Sequence, residues 1–102
     1  MERIRVDFAK LVSDVAERFQ SQHGIPVNPG ARYELVKRAL PYQDQVELEL
    51  SSGKITTEFL EQSIYTVLEN AAEIARERGR TAVGEDTTEE SMKKYCPYLF
   101  WC

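Results

Sequence analysis

Apolar residues recur at helical spacing along most of this chain, and the stripes they form define its elements. Ile4, Phe8, Leu11, Val12, Val15, Ala16 and Phe19 fall on one helical face, opposite Arg5, Lys10, Asp14, Glu17 and Arg18. The pattern predicts an amphipathic helix from about Arg3 to His23, stopped by Gly24 and Pro26. A stiff connector, Ile25-Pro26-Val27-Asn28-Pro29, follows. Asn28 can cap free helix N–H groups and Pro29 suits a first helical position, so a second helix is expected, covering Ala31 to Leu40. Tyr33, Val36 and Leu40 lie on one of its sides, with Leu35 and Ala39 widening the apolar face. Pro41 disfavours helical geometry at Leu40 and ends the element.

The stretch from Tyr42 to Leu50 reads two ways. Val46, Leu48 and Leu50 alternate with Glu47 and Glu49, which fits a half-exposed β segment near 45–50 with a solvated glutamate face. A short helix entered through Pro41 and left at Gly53 fits equally well. Beyond the turn at Ser51-Ser52-Gly53-Lys54 comes the longest element, a helix over Thr56–Arg80 capped by Thr56 or Thr57. Its stripe is Phe59, Leu60, Ile64, Val67, Leu68, Ala71, Ile74 and Ala75. Arg76, Arg78 and Arg80 gather at its C-terminal end, where the helix dipole favours cations, and Gly79 offers a stop. Thr87-Thr88-Glu89-Glu90 has capping-box spacing for a last helix through about Tyr95.

These elements imply a mainly α, small helical domain spanning residues 1–102: an N-terminal helix (3–23), a helical region (28–95) and an apolar tail (96–102). So wide a stripe on the long helix must be covered by protein. Each of its large side chains is worth roughly 1.5–3 kcal/mol when fully buried, offset in part by ordering entropy. Phe59, Leu60, Ile64, Val67, Leu68, Ala71 and Ile74 are therefore expected to form a homodimer or partner-protein interface. The N-terminal helix, with its matching stripe, is the alternative cover.

Composition narrows the classes. With 42% hydrophobic and 29% charged residues among 102, the chain resembles an ordinary folded domain. Its net charge of −4 draws it to neither nucleic acid nor anionic membrane, so either role would need a local basic patch. The longest apolar runs fall far short of a membrane span, and Met1-Glu2-Arg3-Ile4-Arg5 lacks a secretory apolar segment. A cytoplasmic protein is expected.

From Val67 to Tyr95 the chain resembles the end of the histone fold, in particular the archaeal histones. Ala75, Arg76, Gly79, Arg80, Thr81, Glu85, Asp86, Lys93, Lys94 and Tyr95 follow in the family's order. The resemblance implies a histone-fold-like C-terminal half and a handshake dimer of crossing long helices. Arg80 and Thr81 would sit in a loop that contacts DNA phosphates, with Asp86 clamping Arg80. Arg76, Arg80, Thr81, Lys93 and Lys94 are thus the candidate DNA-binding residues.

The tail Cys96-Pro97-Tyr98-Leu99-Phe100-Trp101-Cys102 is unusually apolar for a terminal segment. Packing back onto a helix face, or onto a partner, is its expected role. Cys96 and Cys102 are candidate redox residues, although free thiols are the default for so few cysteines. Two thiols do not complete a tetrahedral zinc site, and the sole histidine, His23, lies in a distant helix end, so no metal or cofactor is expected. Nucleophile–base pairs and glycine-rich phosphate loops are missing from the sequence, which points away from catalysis. A non-catalytic association module is the expected function, with a histone-like DNA-binding role and a thiol redox or metal accessory role as alternatives.

Overall fold

The computed structural model describes residues 3–102; Met1 and Glu2, which head the segment read as lacking a secretory signal, lie outside the described residues. Helix α1 (Phe8–His23) begins later than its stripe implies, because Asp7 caps it. The Asp7 carboxylate accepts the Lys10 N–H at 3.2 Å. Ile4 therefore leaves the stripe and is exposed, while Phe8, Val12, Val15, Ala16 and Phe19 are buried. At Gly24, φ of 65° lets the chain turn back so that its N–H reaches the Gln20 carbonyl at 2.9 Å.

Helix α2 (Pro29–Ala39) has Asn28 at the cap position, but no side-chain capping bond forms there. Main-chain groups act instead. The Asn28 N–H donates to the Val83 carbonyl and the Val83 N–H to the Pro26 carbonyl, both at 2.9 Å, so two loops join in a short parallel bridge. The buried face of α2 is Ala31, Leu35 and Ala39; of the expected face Leu35 and Ala39 are buried and Val36 packs partly buried against the core, while Tyr33 and Leu40 are exposed. Two alanines a turn either side of Leu35 allow close helix approach, whereas Tyr33 keeps its hydroxyl in water.

A 3₁₀ turn at Leu40–Tyr42 carries Pro41 and leads directly into α3 (Gln43–Ser51). The β reading of 45–50 is thereby corrected. A strand would put Val46, Leu48 and Leu50 on one face; instead Val46 and Leu50, four apart, are buried and Leu48 is exposed.

Helix α4 (Thr57–Glu77) is capped by Thr56, whose hydroxyl accepts the Phe59 N–H at 3.1 Å. It stops short of the expected Arg80 in a two-bond αL end: Gly79 N–H reaches the Arg76 carbonyl at 3.0 Å and Arg80 N–H the Ala75 carbonyl at 2.8 Å. Helix α5 (Glu85–Tyr95) starts two residues before the expected Thr87. Thr87 makes the return half of a capping box, its hydroxyl accepting the Gly84 N–H at 3.1 Å. Gly84 has no side chain to make the other half.

Helices α1, α2, α4 and α5 form the bundle, α4 lying against α1 and α5, and α2 against α1 and α5. The Ser91 hydroxyl ties α5 to α4 through a buried 2.8 Å bond to the Val67 carbonyl. Leu60, Ile64, Val67, Leu68, Ala71 and Ile74 are all buried within the single chain; among the seven stripe residues assigned to a dimer or partner interface, Phe59 alone is exposed. The cover is the chain's own α1 and α5. No helix among the described residues is long and apolar enough to cross a membrane.

Candidate interaction surface

Two non-helical segments lie against this bundle. The first is an N-terminal strap, residues 3–7, laid along α3. Ile4 N–H donates to Ser51 Oγ at 2.8 Å, Val6 N–H to Glu47 Oε2 at 2.9 Å, and Gln43 Nε2 to the Val6 carbonyl at 2.6 Å. Arg3 closes the strap, donating to the Asp44 carbonyl at 2.7 Å and approaching Glu47 Oε1 at 3.4 Å. Glu47, expected on a solvated face, is buried. The Val6 N–H and Gln43 amide bonds, aided by the charges of Arg3 and Arg5, outweigh burial and hold its carboxyl below the ordinary value. Sequence reasoning missed this clamp. Its trace is Gln43 and Glu47 four residues apart, which share a face only if the segment is helical.

The second segment is the tail, and it folds back as expected. Trp101 is 0% exposed and its Nε1–H donates to the Leu35 carbonyl at 3.0 Å. Arg38, held by buried Glu34 at 2.8 Å, reaches the Cys102 carbonyl at 3.2 Å. Burial opposes ionisation of Glu34, but the hydrogen bond from Arg38 and the charges of Lys37 and Arg38 prevail and lower its pKa. Cys96 and Cys102 are joined in a disulfide, which corrects the expectation of free thiols.

The fold-back lays aromatic rings in a row. Tyr42 stacks on Phe100 at 5.3 Å between centroids, Phe100 meets Tyr98 edge-on at 5.0 Å, and Tyr98 meets Phe59 at 5.3 Å. Tyr98 donates its hydroxyl to Glu49 at 2.9 Å; burial and this carboxylate push its pKa up to about 12. The ends of the row stay open to solvent: Tyr42 is 38% exposed, Phe59 42%, and neighbouring Leu99 58%. Of the acids near it, Asp44 and Glu47 are paired with Arg3, Glu49 accepts the Tyr98 hydroxyl and lies 3.8 Å from Lys54, and exposed Glu58 precedes Phe59.

The candidate DNA-binding residues are assembled only in part. Arg80 is ion-paired with Asp86, the pairing the histone resemblance implies, and this bond holds the Asp86 carboxyl below its ordinary value. Thr81 is exposed beside it. Lys93 approaches Glu89 at 3.8 Å and Lys94 lies over the Tyr95 ring at 5.4 Å. Neighbouring Arg78 is taken by Glu90. Arg76 lines a separate cleft with His23, Asn70, Glu69 and Glu73. Each cation thus has an acid or a ring close by, and the positive field is largely cancelled. At that end of α1, His23 Nε2 lies 2.8 Å from the Tyr65 hydroxyl, which donates to Gln22 Oε1; the polar chain ends on an amide. No family model, curated protein or solved structure matches the chain.

Proposed function

We propose that this protein is a non-catalytic association module that holds a short apolar segment of a partner protein, flanked by basic residues, on the Tyr42–Phe100–Tyr98–Phe59 row and Leu99. The observation that carries the reading is a row of rigid aromatic side chains whose open ends are fixed by a disulfide-tied tail. Aromatic rings offer large contact area at low entropy cost, and prior fixation reduces the cost of ordering them on binding. Exposed Glu58 beside Phe59 and the net charge of −4 favour a basic partner.

Size sets the class of partner. With the exposures above and aromatic side chains of 150–250 Å², the row offers roughly 250–300 Å², against about 800 Å² per partner in a standard stable complex. One helix or a short peptide fits that area better than a second globular protein. A homodimer, the other association expected from the sequence, loses its main support because the α4 stripe is buried inside the chain.

The test uses two amphipathic peptides of equal apolar content, one Leu/Lys and one Leu/Glu, titrated while amide and side-chain NMR shifts are followed. The Leu/Lys peptide is expected to shift Tyr42, Phe59 and Leu99, weakly and in a salt-dependent way, and the F59A/L99S double variant to lose the response. Silence of these residues towards both peptides sinks the reading.

DNA binding keeps one supporting observation, the Arg80–Asp86 pair beside Thr81. A gel shift in rising salt decides it: salt-sensitive binding abolished by Arg80→Glu would establish that reading, and no retardation at low salt removes it.

A further inference from the structure

The segment between the two cysteines contains both the buried plug, Phe100 and Trp101, and the exposed Leu99. Both cysteines are themselves exposed, so a soluble reductant can reach the bridge that joins them. We propose that Cys96–Cys102 is a reversible thiol–disulfide latch, and that its reduction by a dithiol releases Trp101 from its seat on α2 while the four-helix bundle stays folded.

The exchange balances. A thiolate of the dithiol attacks one sulfur, breaking the Cys96–Cys102 bond and forming a mixed disulfide. The second thiol of the reductant then displaces the protein sulfur. The protein gains two electrons and two protons as two thiols, and the reductant leaves as its own disulfide.

Three features make the bridge decisive for the tail and dispensable for the bundle. First, few polar bonds hold the tail once the bridge is open, the rest of its anchorage being the burial of Phe100 and Trp101 in the core cluster with Phe8 and Leu35. Trp101 Nε1 on the Leu35 carbonyl, Arg38 on the Cys102 carbonyl and Tyr98 on Glu49 are its side-chain bonds, and the Trp101 N–H to Tyr98 carbonyl bond at 3.0 Å lies within the tail itself. Second, Cys96 ends α5 at φ of 30°, a left-handed backbone that L side chains rarely adopt; once the bridge opens, the residue is free to relax. Third, the link spans six positions at one end of the chain and crosses none of the contacts among α1, α2, α4 and α5. Closing so small a loop biases docking by about fifty-fold on chain-entropy grounds. Burial of two aromatic rings is meanwhile opposed by ordering of the whole tail.

Trp101 is the chain's single tryptophan, so its fluorescence reports the plug alone. The experiment follows emission wavelength, acrylamide quenching, thiol titration and far-ultraviolet circular dichroism, with and without a dithiol such as dithiothreitol. Reduction is expected to yield two titratable thiols, a red shift and a severalfold rise in quenching, with helical ellipticity unchanged and the whole response reversed on reoxidation. The C96S/C102S double variant should show the released spectrum without reductant.

Two thiols with Trp101 still shielded would overturn the latch. Loss of helix together with Trp101 exposure would make the bridge a global staple and overturn it equally. So would a shielded Trp101 in air-oxidised protein that already titrates two thiols. Leu99 and Phe100 belong to the same segment, so loss of peptide binding on reduction would follow; that consequence rests on the association reading, whereas the fluorescence measurement contains no peptide and is scored independently.

Discussion

Helices α4 and α3 are neighbours in sequence and are held by different forces. In α4 the interior residues Leu60, Ile64, Val67, Leu68 and Ala71 are fully covered, and polar bonds serve chiefly at the ends, where Thr56 opens the helix and Gly79 closes it. In α3 only Val46 and Leu50 reach the core. Its remaining attachment is polar: a strap of backbone and arginine bonds laid on Gln43, Asp44, Glu47 and Ser51. Burial of apolar area acts in every solvent condition that preserves water's cohesion, whereas a carboxylate clamp depends on its ionisation. The bundle and the strap should therefore separate under mutation, and again under pH.

The largest effect belongs to the bundle. Leu68→Ala removes a fully buried side chain from the middle of α4 and should cost about 2–5 kcal/mol, seen as a large drop in the denaturant midpoint at unchanged slope. Leu48→Ser, on the exposed side of α3, should stay within about 0.5 kcal/mol. A result in which the two variants are equally destabilised would mean that α4 does not carry the core.

A smaller effect is expected at the polar link between α4 and α5. Ser91→Ala deletes the donor to the Val67 carbonyl, which keeps its place in the helix, so the loss should be about 0.5–1.5 kcal/mol. Chemical denaturation of Ser91→Ala and Ser91→Cys side by side would show whether the hydroxyl or merely the volume matters. Indifference of stability to both would discount the bond.

The same division explains what could be read from the sequence. The α4 stripe, its Thr56 cap, its Gly79 stop and the Gly24 end of α1 were legible because apolar period and cap chemistry are local signals. The start of α1 is hidden in the sequence because Ile4 continues the apolar period, and only the Asp7 cap ends it. The α3 segment stayed ambiguous because Val46, Leu48 and Leu50 satisfy a period of two, while the deciding partners, Arg3 and Val6, lie some forty residues away. The cover of the α4 stripe was open for the same reason: a periodic pattern says that a face is buried and not by what. Of the proposed surface, the aromatic tail is conspicuous in the sequence, where Phe59 is one stripe residue among several. Its pairing with Tyr98, and that of Tyr42 with Phe100, arises from the fold-back alone.

The smallest effect at neutral pH, and the most selective, concerns Glu47. Its carboxyl titrates below its ordinary value of 4.5 because the ionised form accepts the Val6 N–H and the Gln43 amide beside the Arg3 and Arg5 charges. A group whose folded pKa is depressed contributes stability that is complete above its unfolded value and fades as pH falls through the folded one. The strap should thus be fully engaged at pH 6 and loosen on acidification below the ordinary carboxylate range. The measurement is the hydrogen-exchange protection factor of the Val6 N–H, corrected for intrinsic exchange, beside that of an amide in the middle of α4. Val6 protection should fall with pH while the α4 amide holds. Glu47→Gln, which keeps an acceptor but cannot ionise, should give a lower and flatter profile at Val6. If wild-type Val6 is equally protected at pH 6 and at pH 3.5, ionised Glu47 is not what fastens the strap, and the contrast drawn between α3 and α4 loses its electrostatic half.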